Sequence, residues 1–206
     1  MRILITAGPT REPIDAVRYI GNRSSGRMGA ALAQAALHAG HKVTLILGPV
    51  TVDMPPQARR IDVETAAQMR AAVVGQFPRH DLLIMAAAVA DYRPIKVARG
   101  KITRGGRLVI ECEPTEDIAA AAGRAKGPHQ RTIAFSLESA AGLARTRRKL
   151  RDKNADLIVY NPVQTIDSPT IRAVLVWPDG RTERLGCRSK AKLADILIKR
   201  AEALFA

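Results

Sequence analysis

Short apolar runs alternate with longer amphipathic segments along most of the chain. Uninterrupted runs of leucine and β-branched residues predict buried strands, and apolar residues every three or four positions predict helices. The predicted strands are residues 2–6, 42–47, 81–88, 131–136 and 156–160, and the predicted helices are 27–39, 64–77, 138–153 and 189–205. This alternation predicts an α/β fold with a doubly wound, mainly parallel, Rossmann-like sheet between helices.

Two segments depart from this alternation and predict projecting β-hairpins. The first, near residues 100–111, has its strands within 101–110 and turns at a Gly-Gly pair. The second, near residues 171–186, turns at Pro178-Asp179-Gly180. Glycine pairs favour hairpin turns because glycine adopts positive φ angles at low cost. We therefore expect one domain over residues 1–206 that carries two hairpins, whose strand edges have to be paired or covered.

Composition constrains the surface and the compartment. The 206 residues are 47% hydrophobic, which suits one compact domain, but only 3% aromatic, so aliphatic residues and alanine must fill the core. With 33 Lys and Arg against 19 Asp and Glu, the net charge of +14 attracts either nucleic acid or small phosphorylated ligands. Cys112 and Cys187 match no metal-ligand spacing, which indicates reduced thiols and a cytoplasmic protein. The apolar run 3–7 is too short for a signal peptide, and no stretch approaches the roughly 20 apolar residues of a membrane span.

Polar or small residues follow four of the predicted strands, at the edge where parallel sheets bind ligands. These segments are residues 6–10, 86–91, 135–138 and 160–162. Before the first predicted helix, the Ser24-Ser25-Gly26 loop offers hydroxyls and backbone N–H groups that suit an anion. The serines equally suit plain helix capping. The loop is neither a GxGxxG fingerprint nor a Walker A loop, since no Gly-Lys-Ser/Thr occurs.

Cations and one carboxylate complete the candidate chemistry. Residues 93–107 hold six cations and no acidic residue, which suits a flap over phosphates or a solvated surface. Arg145, Lys149 and Lys153 share one helix face, which suits phosphate binding or simple solvation. Asp91 suits a helix cap, a metal ligand or a hydroxyl acceptor. Four histidines fall in no motif and are expected at the surface: His38, His41, His80 and His129.

Four motifs together resemble the phosphopantothenate–cysteine ligase family. They are TAGPTREPIDAVRYIGNRSSGRMG at 6–29, AAAVADYRP at 86–94, KITR at 101–104 and KLRDKNADLIVYNPV at 149–163. Their order and spacing hold over essentially the whole chain, and the first motif is long and specific. The resemblance implies a ligase that joins 4′-phosphopantothenate to cysteine through an acyl-nucleotide, an acyl-cytidylate if CTP is used as in most bacterial relatives. It also implies Mg²⁺ held largely by nucleotide phosphates and water, without a dedicated protein metal site.

The same resemblance assigns roles to individual positions. Asn22 and Lys101 are the implied catalytic residues. Substrate binding is assigned to Arg18, Asn22, Ala87 and Ala88. The implied nucleotide site combines small residues, carboxylates, a base-packing phenylalanine and lysines: Gly8, Ser24, Ser25, Gly26, Ala87, Asp91, Lys101, Asp117, Ile118, Phe135, Lys149 and Lys153.

Three short segments depart from the family pattern. Thr103 replaces the first of two adjacent lysines in the flap, Thr115-Glu116 replaces an Asn-Pro pair, and Pro162 replaces an aspartate. The resemblance implies a homodimer with hairpins exchanged between subunits, and no nucleic-acid or membrane partner. Because no decarboxylase half is present, the chain is expected to be a stand-alone ligase, with a separate phosphopantothenoylcysteine decarboxylase, or one half of a bifunctional protein.

Two other functions fit parts of the sequence. An NAD(P)-dependent Rossmann oxidoreductase fits the fold, but the chain has no GxGxxG motif and no evident Tyr-Lys pair. A basic nucleic-acid-binding module fits the charge, but the scarcity of aromatic residues argues against base stacking.

Overall fold

The computed structural model describes residues 1–138, 143–162, 168 and 170–206. The strands in this part of the chain are β1 (Arg2–Ala7), β2 (Arg11–Pro13), β3 (Tyr19–Gly21), β4 (Lys42–Leu47), β5 (Arg59–Asp62), β6 (Leu82–Met85), β7 (Tyr92–Pro94), β8 (Cys112–Pro114), β9 (Arg131–Glu138), β10 (Leu157–Pro162), β11 (Thr170–Val176) and β12 (Thr182–Ser189). The helices are α1 (Arg27–His38), α2 (Ala66–Gln76), α3 (Ile118–Ala125), α4 (Ala144–Asp152) and α5 (Lys190–Glu202), and a 3₁₀ turn covers Phe77–Arg79.

The main sheet has eight strands in the order β12-β11-β10-β9-β6-β1-β4-β5. The six strands from β5 to β10 in this order run parallel, while β11 and β12 are antiparallel. At the centre, Ile5 pairs with Leu45 on one side and with Ile84 on the other. The predicted doubly wound, mainly parallel sheet is confirmed. The carboxyl ends of the six parallel strands therefore open along one edge.

Two apolar clusters cover the two faces of this sheet. Alternation along β1 separates them, because successive side chains of a strand point to opposite faces. Ile5 packs in a cluster with Leu32 of α1 and Leu197 of α5, whereas Leu4 packs in a cluster with Met69 of α2. All five side chains are fully buried, and their burial fixes the strands whose ends carry the candidate site.

The first predicted hairpin is present, but the predicted position of its strands is wrong. Residues 101–110 contain no strand; instead β7 and β8 pair with each other, and the segment 95–111 between them, here called the flap segment, is mostly exposed. The six cations of residues 93–107 leave no alternating apolar face that a ladder could bury. The second hairpin is confirmed as β11 and β12, and it extends the main sheet through β10.

Several other elements differ from the sequence prediction. The helix expected over residues 138–153 begins at Ala144, because Glu138 continues β9 and pairs with Pro162 of β10. Helix α3, strand β5 and the short strands β2, β3, β7 and β8 were not predicted. The surface position expected for His80 is wrong: its ring is buried and bonds to Thr44 Oγ1 at 3.0 Å.

Both cysteines, Cys112 and Cys187, are free thiols, as expected. Among the described residues, none of the helices has both the length and the apolar character needed to cross a membrane.

Candidate functional site

The loop before α1 forms one wall of a cavity of about 520 Å³ at the carboxyl edge of the sheet. Among the described residues no side chain caps α1, so the capping role considered for Ser24 and Ser25 is wrong. Gly26 precedes the helix with a φ of 78°, and a Cβ there would lie 2.7 Å from Val50 Cγ1, so both conformation and space require glycine. The uncapped first turn of α1 lines the cavity, where the positive end of the helix dipole favours an anion.

Asn22 lines the cavity with its amide already anchored. Its Nδ2 donates to the carbonyl oxygens of Ala88 at 3.2 Å and Val89 at 2.8 Å. The amide is thus tied to the segment that follows β6, and its Oδ1 is left as the acceptor for a ligand. A carboxylate at position 22 would lose both donated bonds.

The segment after β6 supplies small residues to the same cavity. Ala87 and Ala88 line it, and their backbone N–H groups donate to Thr6 Oγ1 at 3.3 Å and to the Gly8 carbonyl at 2.9 Å. Gly8 itself does not line this cavity, and its carbonyl accepts the hydrogen bond from Ala88 that fixes this segment. Phe135, near the end of β9, forms a half-buried apolar wall.

Asp91 is an exposed carboxylate in the cavity lining. A strand, β7, follows it, so the helix-cap alternative is wrong. Three carboxylates line this cavity among the residues that the structure describes. Glu116 contacts Arg70 and Asp117 contacts Lys153, whereas Asp91 makes no ion pair with any described residue. A hydroxyl or metal-ligand role stays open for Asp91.

Asp117 caps α3 and holds one of the two lysines. Its carboxylate accepts from the Ala120 N–H at 3.0 Å and contacts Lys153 Nζ at 2.5 Å. Partial burial raises the pKa of Asp117, but the bonds from Lys153 and Ala120 outweigh it, so the pKa lies below its usual range. Asp117 and Lys153 both line the cavity, with Ile118 beside them.

Lys149 reaches the cavity one helical turn before Lys153. Its Nζ lies 2.7 Å from Glu138 Oε1. Glu138 is buried at the end of β9 and is absent from the cavity lining, and the Ser136 hydroxyl donates to the same oxygen at 2.9 Å. Arg145, the third member of the predicted stripe, is exposed and lies 3.5 Å from Glu138 Oε2.

Like Gly8, the implied site residues Arg18 and Lys101 do not line the cavity. Arg18 donates to the Ile102 carbonyl at 3.2 Å and pairs with Asp15, whose carboxylate accepts from the Ile102 N–H at 3.1 Å. The pKa of Asp15 is lowered, chiefly by the hydrogen bond from the Val17 N–H and further by those from the N–H groups of Ile102 and Arg18. Together these bonds outweigh burial, which raises the pKa. Lys101 is exposed next to this anchor point.

The structure thus brings together most of the residues singled out from the sequence. Those in one cavity are Asn22, Ser24, Ser25, Gly26, Ala87, Ala88, Asp91, Asp117, Ile118, Phe135, Lys149 and Lys153. Sequence reasoning placed Ser136 and Glu138 in the polar strand end 135–138 but did not identify them as partners of Lys149, and it missed Asp15 as the partner of Arg18.

Residues 1–204 match the family described as the DNA/pantothenate metabolism flavoprotein C-terminal domain. The chain belongs to this family. A relative from an unidentified prokaryote, named a cysteine/cysteine sulfinic acid decarboxylase, is 42% identical over 205 residues, which cover 97% of this chain and 57% of the relative. The coenzyme A biosynthesis bifunctional protein CoaBC of Escherichia coli K12 is 43% identical over 188 residues, covering 87% of this chain and 46% of that protein.

A solved structure of this family, the C-terminal domain of a coenzyme A biosynthesis bifunctional protein CoaBC, superposes with a TM-score of 0.86. It is 38% identical, and the match covers 98% of this chain and 94% of that one. The family membership predicted from the four motifs is confirmed. The chain spans about half the length of the curated relatives it matches.

Proposed function

We propose that this chain joins 4′-phosphopantothenate to the amine of cysteine through an acyl-nucleotide intermediate. The observation that carries the proposal is the convergence of separate motifs on one cavity. Asn22 follows β3, Asp91 follows β6, Phe135 belongs to β9, and Lys149 and Lys153 belong to the last turn and end of α4, and all five line it. The coenzyme A biosynthesis proteins among the relatives support the same reaction.

The proposed chemistry has two displacements. A carboxylate oxygen of phosphopantothenate attacks the α-phosphorus of the nucleotide, forming a P–O bond while the bond to pyrophosphate breaks. The cysteine amine then attacks the acyl carbon, the amide forms, the amine loses a proton and the nucleoside monophosphate leaves. Both steps gather negative charge on phosphoryl oxygens, so positioning and cationic stabilisation dominate.

The cavity residues suit these steps. Lys149 and Lys153 supply cations for the phosphates, and the uncapped start of α1 supplies backbone donors. Phe135 offers an apolar face for a base, and Asn22 offers an oriented amide for the acyl group.

We propose CTP as the nucleotide and Mg²⁺ as its counterion. No group of three or more His, Cys, Asp or Glu side chains suited to a metal occurs in the described residues. Phosphate oxygens and water would hold most of the ion, as is usual for nucleotide-bound Mg²⁺, and Asp91 is a cavity carboxylate that could contribute. When bound, Mg²⁺ supplies charge neutralisation on the phosphates.

We also propose a homodimer, acting in the cytoplasm. Large apolar side chains are exposed on β2–β3, β7 and the flap segment, where a second copy would cover them. They are Val17, Tyr19, Tyr92, Ile95, Val97, Leu108 and Val109. Arg18 and Lys101 lie on the same elements, so a second copy is also the simplest way to bring them to a cavity. The product would pass to a phosphopantothenoylcysteine decarboxylase, either separate or in the rest of a longer chain.

The test is pyrophosphate release with phosphopantothenate and each of the four ribonucleoside triphosphates, with cysteine left out. We expect release with CTP, followed by product formation when cysteine is added. The absence of release and of any nucleotide adduct with all four nucleotides would refute the ligase. Binding to an oligonucleotide that persists in high salt would favour a nucleic-acid function instead.

A further inference from the structure

Lys149 is held at the cavity by a carboxylate that a ligand in the cavity does not reach. The Glu138 side chain is only 7% exposed, and Lys149 Nζ lies 2.7 Å from its Oε1. The Ser136 hydroxyl, itself buried, donates to that oxygen at 2.9 Å. Two strand residues thus fix the end of a long, otherwise flexible side chain.

Glu138 carries its charge at neutral pH. Burial raises the pKa of this carboxyl, but hydrogen bonds from Lys149 and Ser136 and the charges of Lys149 and Arg145 outweigh burial, so the pKa is lowered. Removing one partner of a buried ion pair leaves an uncompensated charge, which is costly. The pair with Lys149 is therefore expected to persist when the cavity fills.

The neighbouring lysine is held differently. Lys153 contacts Asp117, whose side chain is 53% exposed and lines the cavity. Phosphate oxygens entering the cavity can therefore compete with Asp117 for Lys153. The same phosphate oxygens contact Lys149 while its ion pair with Glu138 remains in place.

We propose that Glu138, assisted by Ser136, is a positioning residue that fixes Lys149 Nζ for the phosphoryl group under attack. This rests on the ligase function proposed above. Glu138 acts through Lys149 and does not itself contact the substrate.

Removal of the Glu138 charge has two opposing effects. It frees one positive charge near the cavity, which favours binding of an anionic nucleotide. It also releases Lys149 from its fixed position, and a small misplacement of a reacting or stabilising group costs on the order of 10²-fold in rate. Because only interactions stronger in the transition state raise kcat, the positioning role predicts a loss in kcat without a rise in KM for the nucleotide.

The test compares Glu138→Gln with wild type in acyl-nucleotide formation. We expect kcat to fall about tenfold or more, with KM for CTP within about threefold of wild type or lower. Glu183→Gln is the matched control: Glu183 accepts two 2.8 Å bonds from Arg200, has a lowered pKa and lies outside the cavity lining. Its kcat and KM should be unchanged.

A double-mutant cycle separates positioning from a general structural role. If Glu138 acts through Lys149, Glu138→Gln should cost no further kcat in a Lys149→Gln background. Independent, multiplicative losses would overturn the proposal, as would a kcat for Glu138→Gln within about twofold of wild type. A raised KM with unchanged kcat would overturn it as well.

Folding and the proposed function are checked separately. Thermal unfolding is measured for every variant; if Glu138→Gln does not fold, Ser136→Ala keeps the carboxylate and should lower kcat in the same direction, and a wild-type kcat there would overturn the proposal. If the wild type makes no acyl-nucleotide, the ligase function fails. The pairing of Glu138 with Lys149 is then read from the unfolding free energies of the wild type, the two single variants and the double variant, where additive losses would overturn it.

Discussion

Replacement of Lys101 by glutamine tests how the flap segment contributes to the reaction. Lys101 is exposed, lies outside the cavity lining and neighbours Ile102, which both Asp15 and Arg18 hold. Left in this place, its charge would act through solvent, and an exposed charge is worth under about 1 kcal/mol, or roughly fivefold in rate. A direct contact with the developing charge would be worth about 10²-fold or more.

We expect Lys101→Gln to lower acyl-nucleotide formation about 100-fold, because the proposed site needs a cation that closes on the activated carboxyl or the α-phosphate. The assay is single-turnover formation of the acyl-nucleotide with CTP and phosphopantothenate, without cysteine. Arg99→Gln, an exposed cation in the same flap segment, is the control and should change the rate less than about threefold. Thermal unfolding of both variants should match the wild type.

The route by which Lys101 reaches a cavity can be read from mixed subunits. If a second copy supplies it, equal mixing of Lys101→Gln with Asn22→Asp should restore about a quarter of wild-type activity, since half of the dimers then contain one intact site. If the flap segment closes on its own cavity, mixing should restore nothing. Mild, near-equal losses for Lys101→Gln and Arg99→Gln would refute the reasoning and remove Lys101 from the site.

Four further outcomes are expected. Asn22→Asp should slow acyl-nucleotide formation on the order of 10²-fold in the same assay, because it loses both bonds to the segment after β6 and brings a negative charge to the phosphates. Gly26→Ala should lower both the melting temperature and the affinity for CTP measured by calorimetry, since its Cβ would meet Val50 in a left-handed conformation. The difference in unfolding free energy between Glu138→Gln and the wild type should become smaller as the pH falls below 4.5. The pKa of Glu138 is lowered in the folded state, so its carboxylate stabilises the wild type above pH 4.5, and this stability is lost as the carboxylate protonates. Denaturant titrations across that range measure the difference. Light scattering should give about twice 22.3 kDa, and a fully active monomer would contradict the dimer.

Five of the six parallel strands were predictable because each contains an apolar run that is buried, whereas β5 (Arg59–Asp62) has a single apolar residue and was missed. Ile3 to Ala7 and Leu82 to Met85 have no polar residue with a competing preference except Thr6, which is itself buried. The flap segment was not predictable. Its conformation depends on contacts between residues far apart in sequence, such as Asp15 with Ile102, and no local sequence pattern predicts such contacts.

The candidate site was predictable in its parts but not in its charge pairing. Lys149 and Lys153 share a helix face by spacing alone, and strand ends place Asp91 and Phe135 at one edge. Lys149 pairs with the buried Glu138, whereas Lys153 pairs with the exposed Asp117. The first pair depends on where β9 ends, and the sequence pattern misplaced that end by extending a helix over residue 138.

The departure at Thr115-Glu116 shows how this cavity accommodates a different sequence. Thr115 binds back to the segment after β6, with its hydroxyl donating to the Ala90 carbonyl and its N–H to the Asp91 carbonyl at 2.9 Å. Glu116 reaches out to Arg70 of α2. Asp117 caps α3, and both Asp117 and Ile118 line the cavity. The changed pair also lines the cavity but lies in the connection to α3, whereas the two residues that retain the family pattern are placed by the start of the helix. We accordingly expect nucleotide contacts at residues 117–118 to tolerate this departure, since they rest on the capped helix and not on the side chains that differ.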